Sequence, residues 1–257
     1  MTVLMCPGQG AQRVGMGKDL AERFPAARDT FAAIDEALGV ALSRLMWDCP
    51  EDQLTLTHNA QPAILAHTAA VVAAARGALG GTSAGLGHSL GEYSAYLAAD
   101  ALTPEDAARL VRRRGELMLE AGTRRPGIMA AVLGLATAAV EAACAEASEG
   151  GAVAVAANLN APDQTVISGD PPAVEQAGQG CRARGAKRVL PLKVSGAFHS
   201  PLMEPAVAGL RAALQATRFR DPRFPVIANA TAGEIRSGVE AREQLAAQLT
   251  APVRWVA

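Results

Sequence analysis

The chain has 257 residues, of which 50% are hydrophobic and 19% are charged, an ordinary balance for one large domain or for a body that carries a smaller unit. Its net charge of −1 argues against a general nucleic-acid-binding surface. The four cysteines are widely spaced and form no Cys-x-x-Cys pair, so they suggest neither a disulfide framework nor a zinc site. These cysteines are Cys6, Cys49, Cys144 and Cys181.

Neither the start of the sequence nor its interior has the pattern of a targeting or membrane segment. Residues 1–10 have no basic start, and their apolar run is too short for a signal peptide. The longest apolar region, residues 63–79, is broken by His67, Thr68 and Arg76 and indicates an alanine-rich core helix. Together with the isolated cysteines, these patterns predict a cytoplasmic protein.

The first part of the chain alternates short apolar runs with helical patterns. The run Val3–Cys6 stops at Pro7 and Gly8, which predicts a buried strand that leads into a loop. The other elements predicted before residue 100 are helices over 20–38, 62–79 and 90–99, and a short strand over 84–86.

The predicted strand and helix flank Gly87-His88-Ser89-Leu90-Gly91. This G-x-S-x-G pattern is typical of a nucleophile elbow, a sharp turn that lifts a serine hydroxyl clear of its surroundings. A side chain at either glycine would crowd the turn and the contact between strand and helix. Because the chain has 25 glycines, the pattern alone is weak, and Ser89 is a candidate nucleophile that needs partners.

The next predicted helix, which Thr103 can cap, has one apolar stripe with Arg114 in the middle of it. A buried guanidinium must be paired, because an isolated buried charge is costly. Its partner is either a protein carboxylate or a carboxylate on a substrate held at Ser89. The second alternative predicts an acyl group with a free acid at its far end. Three arginines lie off the stripe and are predicted to be solvated: Arg109, Arg112 and Arg113.

The order of elements changes between residues 127 and 193. It becomes strand, helix, strand, strand, helix, strand, which is the order of a ferredoxin-like unit. The predicted strands are 128–135, 152–157, 165–168 and 188–192, and the predicted helices are 137–148 and 171–184. We therefore predict an α/β fold in which a larger body, residues 1–126 and 194–257, carries an inserted ferredoxin-like subdomain, residues 127–193.

A nucleophilic serine needs a base, and the chain has four histidines. His58 and His67 lie in or beside the alanine-rich helix, and His88 adjoins Ser89 and cannot easily turn back on it. His199 precedes a predicted helix, whose dipole favours the neutral imidazole that a general base requires. A loop histidine bonded to nearby backbone is the alternative, and position alone does not separate the two.

An oxyanion hole would need two N–H donors near the serine. Leu90 supplies one, because the residue after the nucleophile does so in such elbows. The Gly8-Gln9-Gly10 loop offers the Gln9 N–H as the second donor, and a plain glycine-rich turn is the alternative for that loop. Each donor contributes about 2.7–4 kcal/mol to catalysis.

Four segments together resemble the malonyl-CoA:acyl carrier protein transacylases, the acyltransferases that load malonyl groups for fatty-acid and polyketide synthesis. They have the order and the approximate spacing of that family and extend over essentially the whole chain. The segments are Pro7-Gly8-Gln9-Gly10-Ala11-Gln12, Gly87-His88-Ser89-Leu90-Gly91-Glu92-Tyr93-Ser94, Arg114-Gly115 and Gly196-Ala197-Phe198-His199-Ser200.

The resemblance implies a serine-hydrolase-like parallel-sheet body with an inserted ferredoxin-like subdomain. It also implies that a malonyl group passes from malonyl-CoA to the phosphopantetheine thiol of an acyl carrier protein through a malonyl-serine intermediate. In this comparison Ser89 is the nucleophile, His199 the base and Arg114 the clamp on the malonyl carboxylate, with an oxyanion hole formed by Gln9 and Leu90.

The resemblance assigns further positions. A backbone carbonyl at Arg254 would orient His199, so that a Ser–His dyad needs no aspartate. His88, Asn160 and Phe198 would belong to the substrate site. Phe198 resembles the residue of malonyl-selective relatives, and ordinary core packing is the alternative for it.

The implied reaction needs no metal or other cofactor, since malonyl-CoA and the carrier protein are substrates, and we expect a monomer. Carrier proteins are acidic, so a basic docking surface is expected, with solvated helix faces as the alternative. The candidate docking residues are Arg109, Arg112, Arg113, Arg184, Lys187 and Arg188.

The sequence departs from the family in two places. Arg254 stands where many relatives have glutamine, and the family continues past Trp255 with further helices, so we expect a truncated C-terminus. Two other functions stay open: a serine esterase or thioesterase that uses the same elbow, and a catalytically silent acyl-binding module.

Overall fold

A computed structural model describes residues 2–257 of the chain. Up to residue 124 the elements are β1 (Thr2–Cys6), α1 (Lys18–Arg23), α2 (Pro25–Leu38), α3 (Leu42–Asp48), α4 (Glu51–Thr55), α5 (Thr57–Ala74), a 3₁₀-helix (Arg76–Gly81), β2 (Thr82–Gly87), α6 (Leu90–Ala98) and α7 (Pro104–Arg124). From residue 128 they are β3 (Ile128–Leu133), α8 (Thr137–Ala147), β4 (Ala154–Ala161), β5 (Gln164–Gly169), α9 (Pro171–Ala183), β6 (Arg188–Pro191), a 3₁₀-helix (Pro201–Met203), α10 (Glu204–Ala216), β7 (Val226–Ile227), β8 (Glu234–Ile235) and α11 (Gly238–Ala247).

The chain divides into two compact units, and the first contains a mainly parallel sheet. This unit comprises Met1–Glu116, Arg211–Ala228 and Gly233–Leu245. Its strand order is β1-β2-β7-β8, with β1, β2 and β7 parallel and β8 antiparallel to β7. Cys6 pairs with Gly87, so the carboxyl ends of β1 and β2 meet at one edge of the sheet, where α/β proteins bind ligands.

Helix α5 carries polar residues into the core of the first unit. It packs against α2 and α6, and its alanines allow close approach on several sides. It begins at Thr57 and ends at Ala74, whereas the sequence predicted 62–79. The predicted bounds were wrong: Pro62 lies inside the helix, five residues after its start.

The carbonyl left without a helical partner by Pro62 is bonded by a side chain. Proline has no N–H, so the His58 carbonyl, four residues earlier, loses its helical donor. Arg112 donates from Nη1 to that oxygen at 3.0 Å and to Asn59 Oδ1 at 2.8 Å. Arg112 was predicted to be solvated, and the structure corrects this: its side chain is only 27% exposed.

The predicted helix over residues 20–38 is two helices, α1 and α2. The break is at Phe24, whose φ of −121° and ψ of 111° are extended. Pro25 follows it, and the proline ring disfavours the helical conformation in the preceding residue. Pro25 itself is the first residue of α2, a position that tolerates proline.

The second unit comprises Leu117–Leu210, Asn229–Ala232 and Ala246–Ala257. Its antiparallel sheet has the order β4-β5-β3-β6 and is packed by α8 and α9, which confirms the predicted ferredoxin-like order of elements. The boundaries at residues 126 and 194 stay predictions. Near the C-terminus, Val253 pairs with β4: its N–H donates to Ala157 O and its carbonyl accepts from Leu159 N, each at 2.9 Å.

The predicted α/β class, with a parallel-sheet body and a βαββαβ unit, is confirmed. Over residues 2–257, no helix has both the length and the apolar character needed to cross a membrane. Within the same residues, no group of three or more His, Cys, Asp or Glu side chains is placed to hold a metal ion.

Candidate active site

Ser89 occupies a strained turn between β2 and α6. Its φ of 52° and ψ of −109° lie in a region that residues with a Cβ rarely adopt. The turn is closed by the Gly91 N–H, which donates to His88 O at 2.9 Å, and by the Glu92 N–H, which donates to Ser89 O at 3.1 Å. This backbone is that of a nucleophile elbow.

Both glycines of the elbow are required by close backbone contacts. A Cβ on Gly87 would overlap the Gly91 carbonyl group, and a Cβ on Gly91 would lie 2.5 Å from Cys6 O and 2.7 Å from Pro7 O. Gly91 therefore lets the first turn of α6 rest on the end of β1. The G-x-S-x-G spacing follows from this approach of helix to sheet.

The Gln9 loop packs directly on the elbow. His88 N donates to Cys6 O at 3.1 Å, and a Cβ on Gly8 would lie 2.7 Å from His88 O and 2.9 Å from His88 Nδ1. His88 is thus held by the loop of Gly8 and is half-buried. Leu90 is the first residue of α6, so its N–H has no carbonyl within the helix to bond.

Arg114 is buried at the nucleophile. It is 1% exposed, and it donates from Nη2 to Ser89 Oγ at 3.0 Å and from Nη1 to Gln61 Oε1 at 2.6 Å. Its guanidinium lies 5.5 Å from the centroid of the Tyr93 ring. The predicted inward orientation of Arg114 is therefore observed.

Neighbouring protein groups shift the pKa of Arg114, and its guanidinium also contacts Ser89. Burial lowers the pKa of Arg114 from its usual value, whereas Tyr93 and the fully buried Glu92 act in the opposite direction. An arginine stays protonated under such shifts. A guanidinium that contacts Ser89 Oγ is within reach of any acyl group attached to that oxygen.

Two polar residues of α5 extend this arrangement and were missed by the sequence reasoning. Gln61 donates from Nε2 to Thr57 Oγ1 at 3.0 Å, and the Thr57 hydroxyl donates to Gln9 Oε1 at 3.0 Å. Gln61 and Thr57 are at most 1% exposed. Two polar residues four apart on one face of an apolar helix are a usable signal, but the predicted helix began at 62 and excluded both.

His199 lies in the second unit and also has an unusual backbone, with φ of 55°. It is 4% exposed, and Nδ1 lies 3.0 Å from Gln248 O and 3.2 Å from Ala251 O. Carbonyl oxygens only accept, so Nδ1 carries the ring hydrogen and Nε2 has the lone pair of a base. His199 is thus hydrogen-bonded to backbone, which was one of the two alternatives from the sequence. It also has the tautomer that the other alternative, a general base, requires.

The two carbonyls that contact His199 Nδ1 are close to Arg254 in the chain, and an orienting role for Arg254 itself stays a prediction. These carbonyls belong to Gln248 and Ala251, which precede the predicted position in the chain. The Arg254 N–H donates to Asn229 O at 2.9 Å, and its Nε donates to Ala230 O at 3.1 Å. Every residue has a backbone carbonyl, so residue type does not show which carbonyl contacts His199.

The other predicted substrate residues of the second unit lie on different elements. Phe198 is 6% exposed and directly precedes His199. Asn160 is half-buried near the end of β4. Neither position by itself tests a role in substrate binding.

Buried thiols are poor alternatives to Ser89 as the nucleophile. Burial raises the pKa of Cys6 to about 12 and that of Cys144 to about 12, and it also raises the pKa of Cys181. The thiolate is the reactive form of cysteine, so burial disfavours reaction at these three thiols.

Comparison with known proteins agrees with this geometry. The model of the acyl transferase domain family matches residues 3–256. The chain is 44% identical over 249 residues to the malonyl CoA-acyl carrier protein transacylase of Bacillus subtilis (strain 168). The aligned region covers 97% of this chain and 78% of that protein. The chain belongs to the malonyl-CoA:acyl carrier protein transacylase family.

Solved transacylase structures have the same fold. An acyl carrier protein S-malonyltransferase from Vibrio cholerae matches with a TM-score of 0.94 and 41% identity, over 98% of this chain and 83% of that one. A malonyl-transacylase in complex with its type II PKS acyl-carrier protein matches with a TM-score of 0.93 and 41% identity, over 98% and 82% of the two chains.

Most of the basic residues considered for carrier docking in this transacylase have partners. Arg109 donates to Ala37 O at 3.1 Å and pairs with Asp106 at 3.3 Å, and Arg184 pairs with Glu146. Arg113 lies 3.6 Å from Glu116 with 45% of its side chain exposed. The two remaining candidates are exposed: Lys187 and Arg188.

Proposed function

We propose that this transacylase moves the malonyl group of malonyl-CoA to the phosphopantetheine thiol of an acyl carrier protein, with Ser89 as the intermediate carrier. The observation that carries the proposal is the 3.0 Å hydrogen bond from the buried Arg114 to Ser89 Oγ. A buried cation beside the nucleophile selects an acyl group that ends in a carboxylate. The family and its named relatives support the same reaction.

In the proposed first half-reaction, Ser89 Oγ attacks the thioester carbonyl while His199 Nε2 takes its proton. The N–H groups of Gln9 and Leu90 receive the oxyanion, each contributing about 2.7–4 kcal/mol. The intermediate collapses to malonyl-serine, and the CoA sulfur leaves with the proton from His199. The carbonyls of Gln248 and Ala251 support this role, since they hold the ring in the basic tautomer.

The proposed second half-reaction is the reverse with a different thiol. His199 takes the proton of the phosphopantetheine thiol, whose sulfur attacks the malonyl-serine ester. Ser89 leaves as the alcohol with the proton from His199. No cofactor enters either step, because the thiol of each substrate supplies the leaving or attacking group. Ordering of the malonyl carboxylate by Arg114 opposes attack by water.

We propose that Phe198, Asn160 and His88 line the acyl site, with Phe198 as the steric element of selectivity. One extra methyl group changes discrimination by only about 1–3 kcal/mol. Rejection of methylmalonyl by a bulky side chain is therefore weaker than rejection of acetyl by an unpaired arginine. The position of Phe198 directly before the proposed base in the chain supports this assignment.

The test of the function is incubation with malonyl-CoA followed by intact mass measurement, with and without acyl carrier protein. We expect a malonyl adduct on the protein that disappears when carrier protein is added, with malonyl-carrier as the product. Accumulation of malonate instead would identify an esterase or thioesterase. Ligand binding without any adduct would identify a silent acyl-binding module.

We propose that the acidic carrier protein docks on exposed basic residues, of which Lys187 and Arg188 are the best placed. Surface attraction of this kind weakens with ionic strength. We therefore expect the KM for carrier protein to rise severalfold as salt increases, and a Lys187→Glu, Arg188→Glu variant to bind more weakly. A KM that is insensitive to both salt and these substitutions would contradict this docking site.

We also propose that the protein works in the cytoplasm as a monomer. The absence of a membrane-crossing helix in residues 2–257 and the four unpaired cysteines support the first statement. Sedimentation or light scattering of the purified protein tests the second.

A further inference from the structure

A continuous series of hydrogen bonds joins the Gln9 loop to the nucleophile Ser89 through the interior of the first unit. It runs from the Gln9 side chain to Thr57, from Thr57 to Gln61, from Gln61 to Arg114, and from Arg114 to Ser89 Oγ. Its four distances lie between 2.6 and 3.0 Å. In this series of hydrogen bonds, the Thr57 hydroxyl links the side chains of Gln9 and Gln61.

Donor and acceptor chemistry fixes the direction of the bonds between Arg114, Gln61 and Thr57. The guanidinium of Arg114 has donors only, so Gln61 must turn its oxygen toward it. The amide nitrogen of Gln61 then faces Thr57 and donates to a lone pair of the hydroxyl. The single hydrogen of Thr57 is left for Gln9 Oε1. Each of these directions is consistent with the observed contacts.

We infer that Thr57 is a positioning residue that aligns the Arg114 clamp and the Gln9 loop at the same time. By accepting from Gln61 it keeps the amide oxygen, and not the amide nitrogen, turned to Arg114. By donating to Gln9 it anchors the side chain of the residue whose N–H is proposed to hold the oxyanion. This inference rests on the proposed function and adds a residue that does not touch the substrate.

The location of Thr57 makes its hydroxyl the important part of the side chain. Thr57 is the first residue of α5 and is 1% exposed, so water cannot replace the hydroxyl readily. Without it, the Gln61 amide keeps its bond from Arg114 but loses the bond to Thr57 that holds its other end. A flipped amide would present donors to the guanidinium, and Arg114 would be displaced from the acyl carboxylate.

The test compares Thr57→Val, which keeps the shape and removes the hydroxyl, with Thr57→Ser, which keeps the hydroxyl. For Thr57→Val we expect the ratio of malonyl to acetyl kcat/KM to fall about tenfold, the change that corresponds to one or two net hydrogen bonds. For Thr57→Ser we expect a ratio close to that of the parent protein. If Thr57→Val does not fold, Thr57→Ala supplies the same comparison.

Thr68→Val is the matched control. Thr68 lies on the same helix and is also buried, and its hydroxyl donates to Ile64 O at 3.0 Å, away from the chain of bonds. We expect this variant to keep the parent ratio. In an Arg114→Ala protein, adding Thr57→Val should change the ratio little, since the clamp it positions is absent.

Three results would overturn the inference: an unchanged ratio in Thr57→Val and Thr57→Ala, a loss in Thr57→Ser as large as in Thr57→Val, or an equal loss in Thr68→Val. A parent protein that forms no malonyl adduct would refute the proposed function itself. That outcome is distinguishable, because it is measured before any Thr57 variant is made.

Discussion

Replacing Arg114 with alanine should lower kcat/KM for malonyl transfer by about 30-fold to several thousand-fold and lower acetyl transfer far less. The range corresponds to the loss of one partner of a buried charged pair, about 2–5 kcal/mol. Arg114 is 1% exposed and contacts Ser89 Oγ, so without it a malonyl carboxylate would lose a buried charged partner. An acetyl group has no carboxylate that pairs with Arg114, so its transfer should depend much less on the arginine.

The comparison of the two acyl groups separates recognition from damage to the fold. A protein that unfolds without the arginine would lose both activities, and its thermal transition would fall. Arg113→Ala is the matched control, because Arg113 is the preceding residue of α7 and its side chain is 45% exposed. We expect Arg113→Ala to keep both rates. Equal losses of malonyl and acetyl transfer in a folded Arg114→Ala protein would count against the clamp.

Replacing Ser89 with alanine should abolish the covalent malonyl adduct. Removing the nucleophile from a serine hydrolase lowers kcat on the order of 10⁶-fold. Because Ser89 is proposed to hold the acyl group between the two half-reactions, its loss leaves no acceptor for the malonyl group. The measurement is intact mass after incubation with malonyl-CoA, followed by addition of carrier protein. The parent protein should gain one malonyl group and then lose it.

Ser94→Ala provides the control for that experiment. Ser94 lies on the same helix, α6, and is fully buried, so its replacement removes a serine hydroxyl close in sequence without touching the elbow. We expect the adduct to form in Ser94→Ala as in the parent protein. An adduct that persists in Ser89→Ala would place the nucleophile elsewhere in the chain.

Local patterns in the sequence were sufficient for the elements that surround the nucleophile. The two glycines of the elbow predicted its turn, because only glycine allows the first turn of α6 to approach the end of β1 this closely. The apolar stripe of α7 predicted that Arg114 points inward, because a helix turns each residue by a fixed angle. The βαββαβ unit was predicted because its elements are contiguous in the chain.

Long-range contacts were beyond such patterns. The break at Phe24 was missed although Pro25 signals it. The helix predicted to begin at Pro62 in fact begins at Thr57, and Arg112, 54 residues from His58, donates to the His58 carbonyl in place of the missing Pro62 N–H. The sequence indicates that a proline weakens a helix, but only the packed structure supplies a donor for the carbonyl left over.

The sequence by itself determined which residue types are available for acyl transfer: a serine in an elbow, a histidine before a helix and an arginine on an apolar stripe. The tertiary structure decided what orients them. Arg114 meets Gln61 across 53 residues and His199 meets the Gln248 carbonyl across 49. Hydrogen bonds between elements depend on how the core packs, and a backbone carbonyl carries no mark of its residue type. The sequence therefore identified the reactive residue types, and the tertiary structure identified the groups that hydrogen-bond to them and hold them in place.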